Sequence, residues 1–243
     1  MMRERDISIA RVHRPSARAF RGTYLKTATP VVITGLASDW PAVRDWSHDY
    51  LQRHGGSSPC SVQVSRRGVR GFETLPFAGT VRAILGDRGP TERYIFRHPL
   101  AHLPRELRAA VGSLDAYMGA GGMVPRRLEW VIKDGERLWI GPAGTVSDVH
   151  FDLGHNLFTQ IVGRKHFRLF APSPSAPLHG HSIDVDLHPG EILFLPQLWW
   201  HHVRALDASV SLSSFWVTPT MLPAQRAYWY HRAKRAFLSA VSS

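Results

Sequence analysis

The feature that most constrains this chain is a change of texture near Trp130. From there to Val217 the sequence breaks into short β-forming runs punctuated by Gly, Pro and His. The runs are Leu138 to Ile140, Asn156 to Ile161, His166 to Phe170, Ile183 to Leu187, Glu191 to Leu195 and Val210 to Val217. Short strands at such regular spacing predict a mainly β fold, a double-sheet jelly roll. Between Ser16 and Gly119 the pattern is instead helices and short extended pieces. Ser16 can cap a helix through Leu25, and Ser47 one holding Tyr50 and Leu51. Pro30-Val31-Val32-Ile33 reads as a short buried strand. Pro104 to Met118 reads as a broken helix, with Pro104 in its first turn and Gly112 interrupting it. Beyond Pro223, Ala227, Tyr230, Lys234, Phe237 and Ala240 fall at helical spacing and predict a basic amphipathic helix. That helix would pack on the barrel or serve a homodimer. The chain is therefore expected as one unit over 1–243, with N-terminal α/β elements over 1–119, the jelly-roll core over 130–217 and a C-terminal helix over 218–243.

Composition removes several classes of answer. With 44% apolar residues and 20% charged, the chain can bury a core and is not a disordered one. Cys60 is the only cysteine, which excludes intrachain disulfides and cysteine-built metal sites. Met1 to Arg18 lacks an apolar signal region, and no stretch approaches the ~20 apolar residues of a membrane span. Cytoplasmic residence without a membrane partner is the expectation. The net charge of +11 draws the chain toward acidic peptides or polyanions. The basic residues are overwhelmingly Arg, so an Arg-biased composition accounts for that charge as readily as a nucleic-acid surface does.

Chemistry enters at His150-Phe151-Asp152. Residues i and i+2 of a strand share a face, so this pair can offer an imidazole and a carboxylate to one cation. Alone the pattern says little, because 14 His and 19 acids in 243 residues supply about one such pair by chance. Support comes from Glu191 to Pro196, a strand followed by Trp199-Trp200-His201-His202, which can bring a third ligand alongside. Two imidazoles and one carboxylate on one face of a metal leave adjacent positions open, as in non-haem Fe(II) oxygenases. Spacing does not choose between His201 and His202. Alternation along a strand means that only one of them can face the ion.

The stretch from His150 to Pro172, with Gly163-Arg-Lys165 inside it, followed by Pro189-Gly-Glu-Ile-Leu-Phe-Leu-Pro196 and Trp199-Trp-His-His-Val203, resembles the cupin-like JmjC hydroxylases, including the factor-inhibiting-HIF-type asparaginyl hydroxylases and their bacterial relatives. Upstream, Pro30-Val-Val-Ile-Thr-Gly35, Asp39-Trp-Pro-Ala42 and Trp46-Ser47 are similar to the N-terminal segment of the same family. The resemblance implies a double-stranded β-helix that binds Fe(II), 2-oxoglutarate and O2, with His150, Asp152 and His201 as the metal ligands. It implies that Lys165 pairs with the distal carboxylate of 2-oxoglutarate, and that Ser147 and Tyr94 serve the same end. Asn156 matches a residue near the inner carboxylate, and Ser214 stands where the family usually has Asn. A dianion anchored at one end by a metal needs a buried cation at the other, which agrees with the place given to Lys165. Outside the motif, Lys165 reads as a solvated turn residue and Tyr94 as a core aromatic.

The reaction so implied is hydroxylation of a substrate C–H bond with release of succinate and CO2. Only 16 residues, Ser173 to His188, separate two of the motifs, and so short a connection leaves the site mouth open. That suits a side chain in a peptide or protein, an acidic one given the net charge. Small-molecule and RNA substrates belong to the same family's range, and a metal-binding module without catalysis is a separate alternative. A cupin metalloenzyme that uses no 2-oxoglutarate is separated from these readings by Lys165, for which it has no need. His179-Gly-His181 sits among prolines and reads as a loop. His155 and His166 either meet substrate or satisfy the backbone, and Trp199, Trp200 and Trp216 read as core or site walls.

Overall fold

The computed structural model describes residues 8–66, 69–85, 93–119, 133–172 and 182–217. Strands in that region are β1 (Arg11–His13), β2 (Val31–Thr34), β3 (Pro59–Arg66), β4 (Val69–Pro76), β5 (Arg93–Pro99), β6 (Lys133–Gly141), β7 (Val146–His150), β8 (His155–Val162), β9 (Lys165–Phe170), β10 (Ile183–Leu187), β11 (Ile192–Leu195), β12 (Trp200–Ala205) and β13 (Ser209–Trp216). They form two sheets. The larger has the order β1-β2-β11-β8-β13-β6-β5-β3-β4 and the smaller β10-β9-β12-β7. All pairings are antiparallel except β1 with β2. The result is the mainly β double-sheet architecture expected of a cupin-type jelly roll, with two separate sheets in place of a closed barrel.

Burial on both faces explains why the central strands read as continuous apolar runs rather than as alternating ones. On β2, Val31 and Ile33 enter a core beneath the helices, while Val32 enters a second core between the sheets. On β11, Ile192 and Phe194 join the first core, and Leu193 and Leu195 the second. The first core also takes Phe20, Trp40, Leu51, Phe77 and Leu107 from the N-terminal half, so that half covers the outer face of the larger sheet.

Among the described residues six α-helices do this covering: α1 (Ala17–Phe20), α2 (Pro41–Asp45), α3 (His48–His54), α4 (Phe77–Leu85), α5 (Arg105–Ala109) and α6 (Asp115–Met118). Ser16 caps α1 by accepting from Ala19 N at 3.1 Å, and Ser47 caps α3 by accepting from Tyr50 N at 3.2 Å. After Phe20 the first helix widens to a π-helix over Arg21–Leu25. Pro104 stands just before α5 rather than within it, its carbonyl accepting from Arg108 N. Gly112 separates α5 from α6, and a side chain there would strike the Trp40 indole, 2.3 Å from an added Cβ.

Strands β3, β4 and β5 correct the expectation of mere extended pieces in the first half, since they lengthen the larger sheet by three. Their alternation is in the sequence. Cys60, Val62 and Val64 are core residues, whereas Gln63 between them looks toward the smaller sheet's side. The expected C-terminal helix over 218–243, its homodimer contact, and the His179-Gly180-His181 loop lie outside the described residues. Among the described residues no helix is long and apolar enough to cross a membrane.

Candidate metal centre

Strand β7 ends at His150, and β12 sets His201 directly opposite it in the antiparallel register. Asp152 lies in the irregular stretch that leads from β7 into the bend at Leu153-Gly154, and its carboxylate sits beside the imidazoles. A hydrogen bond from Leu198 N to Asp152 O at 2.9 Å ties that stretch to the loop before β12. The ligand atoms of His150, Asp152 and His201 lie within 4.8 Å of one another. His201 Nε2 stands 3.8 Å from Asp152 Oδ2, and the two imidazole centroids are 4.2 Å apart.

Backbone carbonyls fix how both rings can act. His150 Nδ1 lies 2.6 Å from Asp148 O, and His201 Nδ1 lies 3.0 Å from Trp199 O. A carbonyl only accepts, so each Nδ1 carries the proton and each Nε2 lone pair is left for a cation. Burial holds the His201 pKa below the usual histidine range, with the neighbouring His150 acting in the same direction. His201 is therefore neutral, its approach to Asp152 is not an ion pair, and a neutral imidazole is the form a metal binds. Two imidazoles and a carboxylate meet the donor requirement of a divalent non-haem metal.

These three side chains share a cavity of about 340 Å³ with Tyr94, Ser147, Asn156 and Lys165. Lys165, the first residue of β9, is only 4% exposed. Its ammonium lies 5.3 Å from the Phe158 ring centre and 5.8 Å from that of Tyr94. No carboxylate is within ion-pair distance of it among the described residues, and burial pulls its pKa down to about 7. Burial also raises the Tyr94 phenol, while the adjacent Ser147 hydroxyl opposes that shift. Asn156 Nδ2 lies 3.2 Å from Ser213 Oγ, which leaves Asn156 Oδ1 buried without a partner. Ser213 Oγ accepts from Trp139 Nε1 at 2.9 Å, so its own proton is free. Turning the amide over lets Oδ1 accept that proton and points Nδ2 into the cavity as a donor.

Ser214 is the one expected pocket residue that the structure places elsewhere. On β13, Val210, Leu212 and Trp216 belong to the outer core, and Ser214 shares their face with its hydroxyl buried and unpartnered. Ser213 and Phe215 face the cavity instead. The pattern Ser209-Val-Ser211-Leu-Ser213-Ser214 carried that information, because strand phase puts Ser213 with Ser211. Sequence reasoning also missed Gln63, Phe96, Arg97 and Trp139 on the cavity wall. The flanking histidines prove structural. His155 Nδ1 accepts from Gln197 N at 3.1 Å, and burial keeps its pKa near 4. His166 is held on the outer side by Asp186 at 2.7 Å and Asp184 at 3.0 Å. His202 points away from the cavity. Trp199, Trp200 and Trp216 are packing residues rather than site walls; Trp199 Nε1, for example, donates to Ala28 O at 3.0 Å.

Known proteins share this architecture. The model of the cupin-like domain family matches residues 17–181 and 173–221. Lysine-specific demethylase 8 of Xenopus tropicalis is 31% identical over 87% of this chain and 53% of its own length. Lysine-specific demethylase JMJ30 of Arabidopsis thaliana is 30% identical over 87% of this chain and 56% of its own length. The human bifunctional peptidase and (3S)-lysyl hydroxylase JMJD7 is 25% identical over 77% of this chain and 76% of its own. The chain thus spans little more than half the length of the two demethylases. Among solved structures, the ribosomal oxygenase YcfD of Escherichia coli, in complex with cobalt and 2-oxoglutarate, superposes with a TM-score of 0.53 and 21% identity, covering 88% of this chain and 56% of that one. With the family's model matched from residue 17 to residue 221, this chain belongs to the cupin-like JmjC domain family.

Proposed function

We propose that the chain is an Fe(II)- and 2-oxoglutarate-dependent dioxygenase that hydroxylates a side chain of a peptide or protein. The observation that carries this reading is one cavity with a His150–Asp152–His201 donor set at one end and the buried, acid-free Lys165 at the other. The hydroxylase and oxygenase relatives, one of them named for a lysyl substrate and another for the ribosome, support a polypeptide substrate. The net charge of +11 favours an acidic one.

His150, Asp152 and His201 would hold the iron, and Lys165, Tyr94, Ser147, Asn156 and Ser213 would receive 2-oxoglutarate. Bound iron with 2-oxoglutarate supplies the activation of O2 that no side chain in this cavity can perform. The chain's own task is placement. Carbonyl-fixed imidazoles keep both Nε2 atoms aimed at one point, so no ring has to reorient when the ion arrives. An incoming dicarboxylate favours the protonated form of Lys165, drawing a proton onto an amine that burial keeps near neutrality. The walls of Trp139, Phe158 and Phe167 keep water from the reacting atoms.

The test is succinate release from the iron-loaded protein with and without candidate peptides. Asp152→Ala is expected to lower it by at least a hundredfold, and succinate formation by that variant at the wild-type rate would remove Asp152 from the ligand set.

A further inference from the structure

Only two large apolar side chains are exposed among the described residues, Phe72 at 62% and Val149 at 39%. Val149 belongs to the cavity mouth, and Phe72 packs against Phe96 of its wall. Val149 lines it from β7. Phe72 reaches it through an edge-to-face row, with ring centres 5.6 Å apart from Phe72 to Phe96 and 4.9 Å from Phe96 to Trp139. Trp139 then lies 6.1 Å from Tyr94, inside the cavity beside Lys165.

The row starts on β4, the last strand of the larger sheet. Eight consecutive residues of β4 pair with β3 in unbroken register, and among the described residues no strand pairs with its other side. Natural edge strands are usually shortened, bulged or interrupted by proline, since unpaired N–H and C=O groups invite another strand. Here the only proline is the terminal Pro76. The bulge falls instead on β5. Ile95 pairs with Ile140 and His98 with Leu138, so Phe96 and Arg97 together face Trp139. Arg97 has a left-handed backbone, φ +52°, and both residues line the cavity. Bulges re-aim side chains beside active sites, and this one sets the Arg97 guanidinium over Phe215, 5.2 Å from the ring centre.

We propose that the strip from the β4 edge across Phe72 and Phe96 to Arg97 docks an extended segment of the substrate polypeptide, with an apolar side chain against the two rings and an acidic one toward Arg97. The proposal rests on the reading of the cavity as a hydroxylase site and adds how its substrate is chosen. Among the described residues the β4 edge has no backbone partner, and a small metabolite cannot supply one. A second copy of the chain could pair with the same edge, but it gives no reason for the exposed ring to be continuous with the cavity wall.

A library of random nine-residue peptides displayed on phage, selected on wild-type protein and on Phe72→Ser, tests this. Phe72 is exposed, so the substitution leaves the fold intact, and the melting temperature verifies it. Wild-type selection is expected to enrich an apolar residue at a fixed distance from an acidic one. Enriched peptides should bind Phe72→Ser about tenfold more weakly, roughly the loss of one aromatic contact. Absence of enrichment, equal binding by both proteins, or a dimer that Phe72→Ser converts to monomer would overturn the proposal. The shift in wild-type melting temperature with 2-oxoglutarate separates the failures, because its loss defeats the hydroxylase reading whereas its presence without peptide selection defeats only the docking strip.

Discussion

Lys165 joins a charge to deep burial. An ammonium buried at 4% exposure without an acidic partner destabilises the folded chain. Its pKa falls from an ordinary 10.5 to about 7. A depressed folded pKa contributes stability that is full above 10.5 and is lost as pH falls through 7, because the unfolded chain then holds the extra proton more easily. Lys165→Met keeps the shape of the stem and removes the charge. It is expected to raise the melting temperature by about 2 to 4 °C near pH 7 and to flatten its pH dependence between 10.5 and 7. The same variant should lose the stabilisation that 2-oxoglutarate gives the metal-loaded protein. Thermal melts across that pH range, with and without 2-oxoglutarate, read both effects. Unchanged pH dependence would place the Lys165 amine in water.

At the scale of the element, strand phase decides which of two adjacent residues faces the cavity. On β12 it selects His201 over His202, and on β13 it selects Ser213 over Ser214. The two serines should answer oppositely to alanine. Ser213→Ala leaves Trp139 Nε1 and the Asn156 amide without their common partner, which costs about 1–3 kcal/mol and weakens 2-oxoglutarate binding. Ser214→Ala removes a buried hydroxyl that has no partner, so stability should hold or rise by up to about 1 kcal/mol. Urea unfolding of both variants measures the difference, and equal losses would contradict the assigned phase. The alternation in β13 was legible, since Ser213 keeps step with Ser211, but the family resemblance pointed to Ser214 instead.

For the whole molecule, the outer core joins the N-terminal helices to the larger sheet, and two buried histidines sit at that junction. His98 packs against Phe77 at 5.2 Å, and His155 lies between Phe194 at 5.5 Å and Trp216 at 5.2 Å. Burial lowers both pKa values from 6.5 to about 4. Their neutral forms contribute stability that is complete above 6.5 and lost as pH falls through 4, at up to about 1.4 kcal/mol per pH unit for each group. His98→Phe is expected to remove about one proton's share of that slope, read from urea unfolding at several pH values between 4.5 and 7. An unaltered slope would show that His98 is not buried in neutral form.

The sequence by itself determined the local facts: capping serines at Ser16 and Ser47, the apolar runs of β2, β8 and β11, the glycines at tight contacts, and the ordered motifs that carry His150, Asp152, Lys165 and His201. Each depends on a residue's own chemistry and its near neighbours, which is what a linear pattern records. Tertiary structure alone decided that β3, β4 and β5 extend the larger sheet, that Asp152 stands beside the imidazoles from beyond the end of β7, and that Lys165 is buried rather than solvated. Those outcomes depend on contacts between residues far apart in the chain. The His150–His201 pairing, for instance, exists only because two strands fifty residues apart share a register.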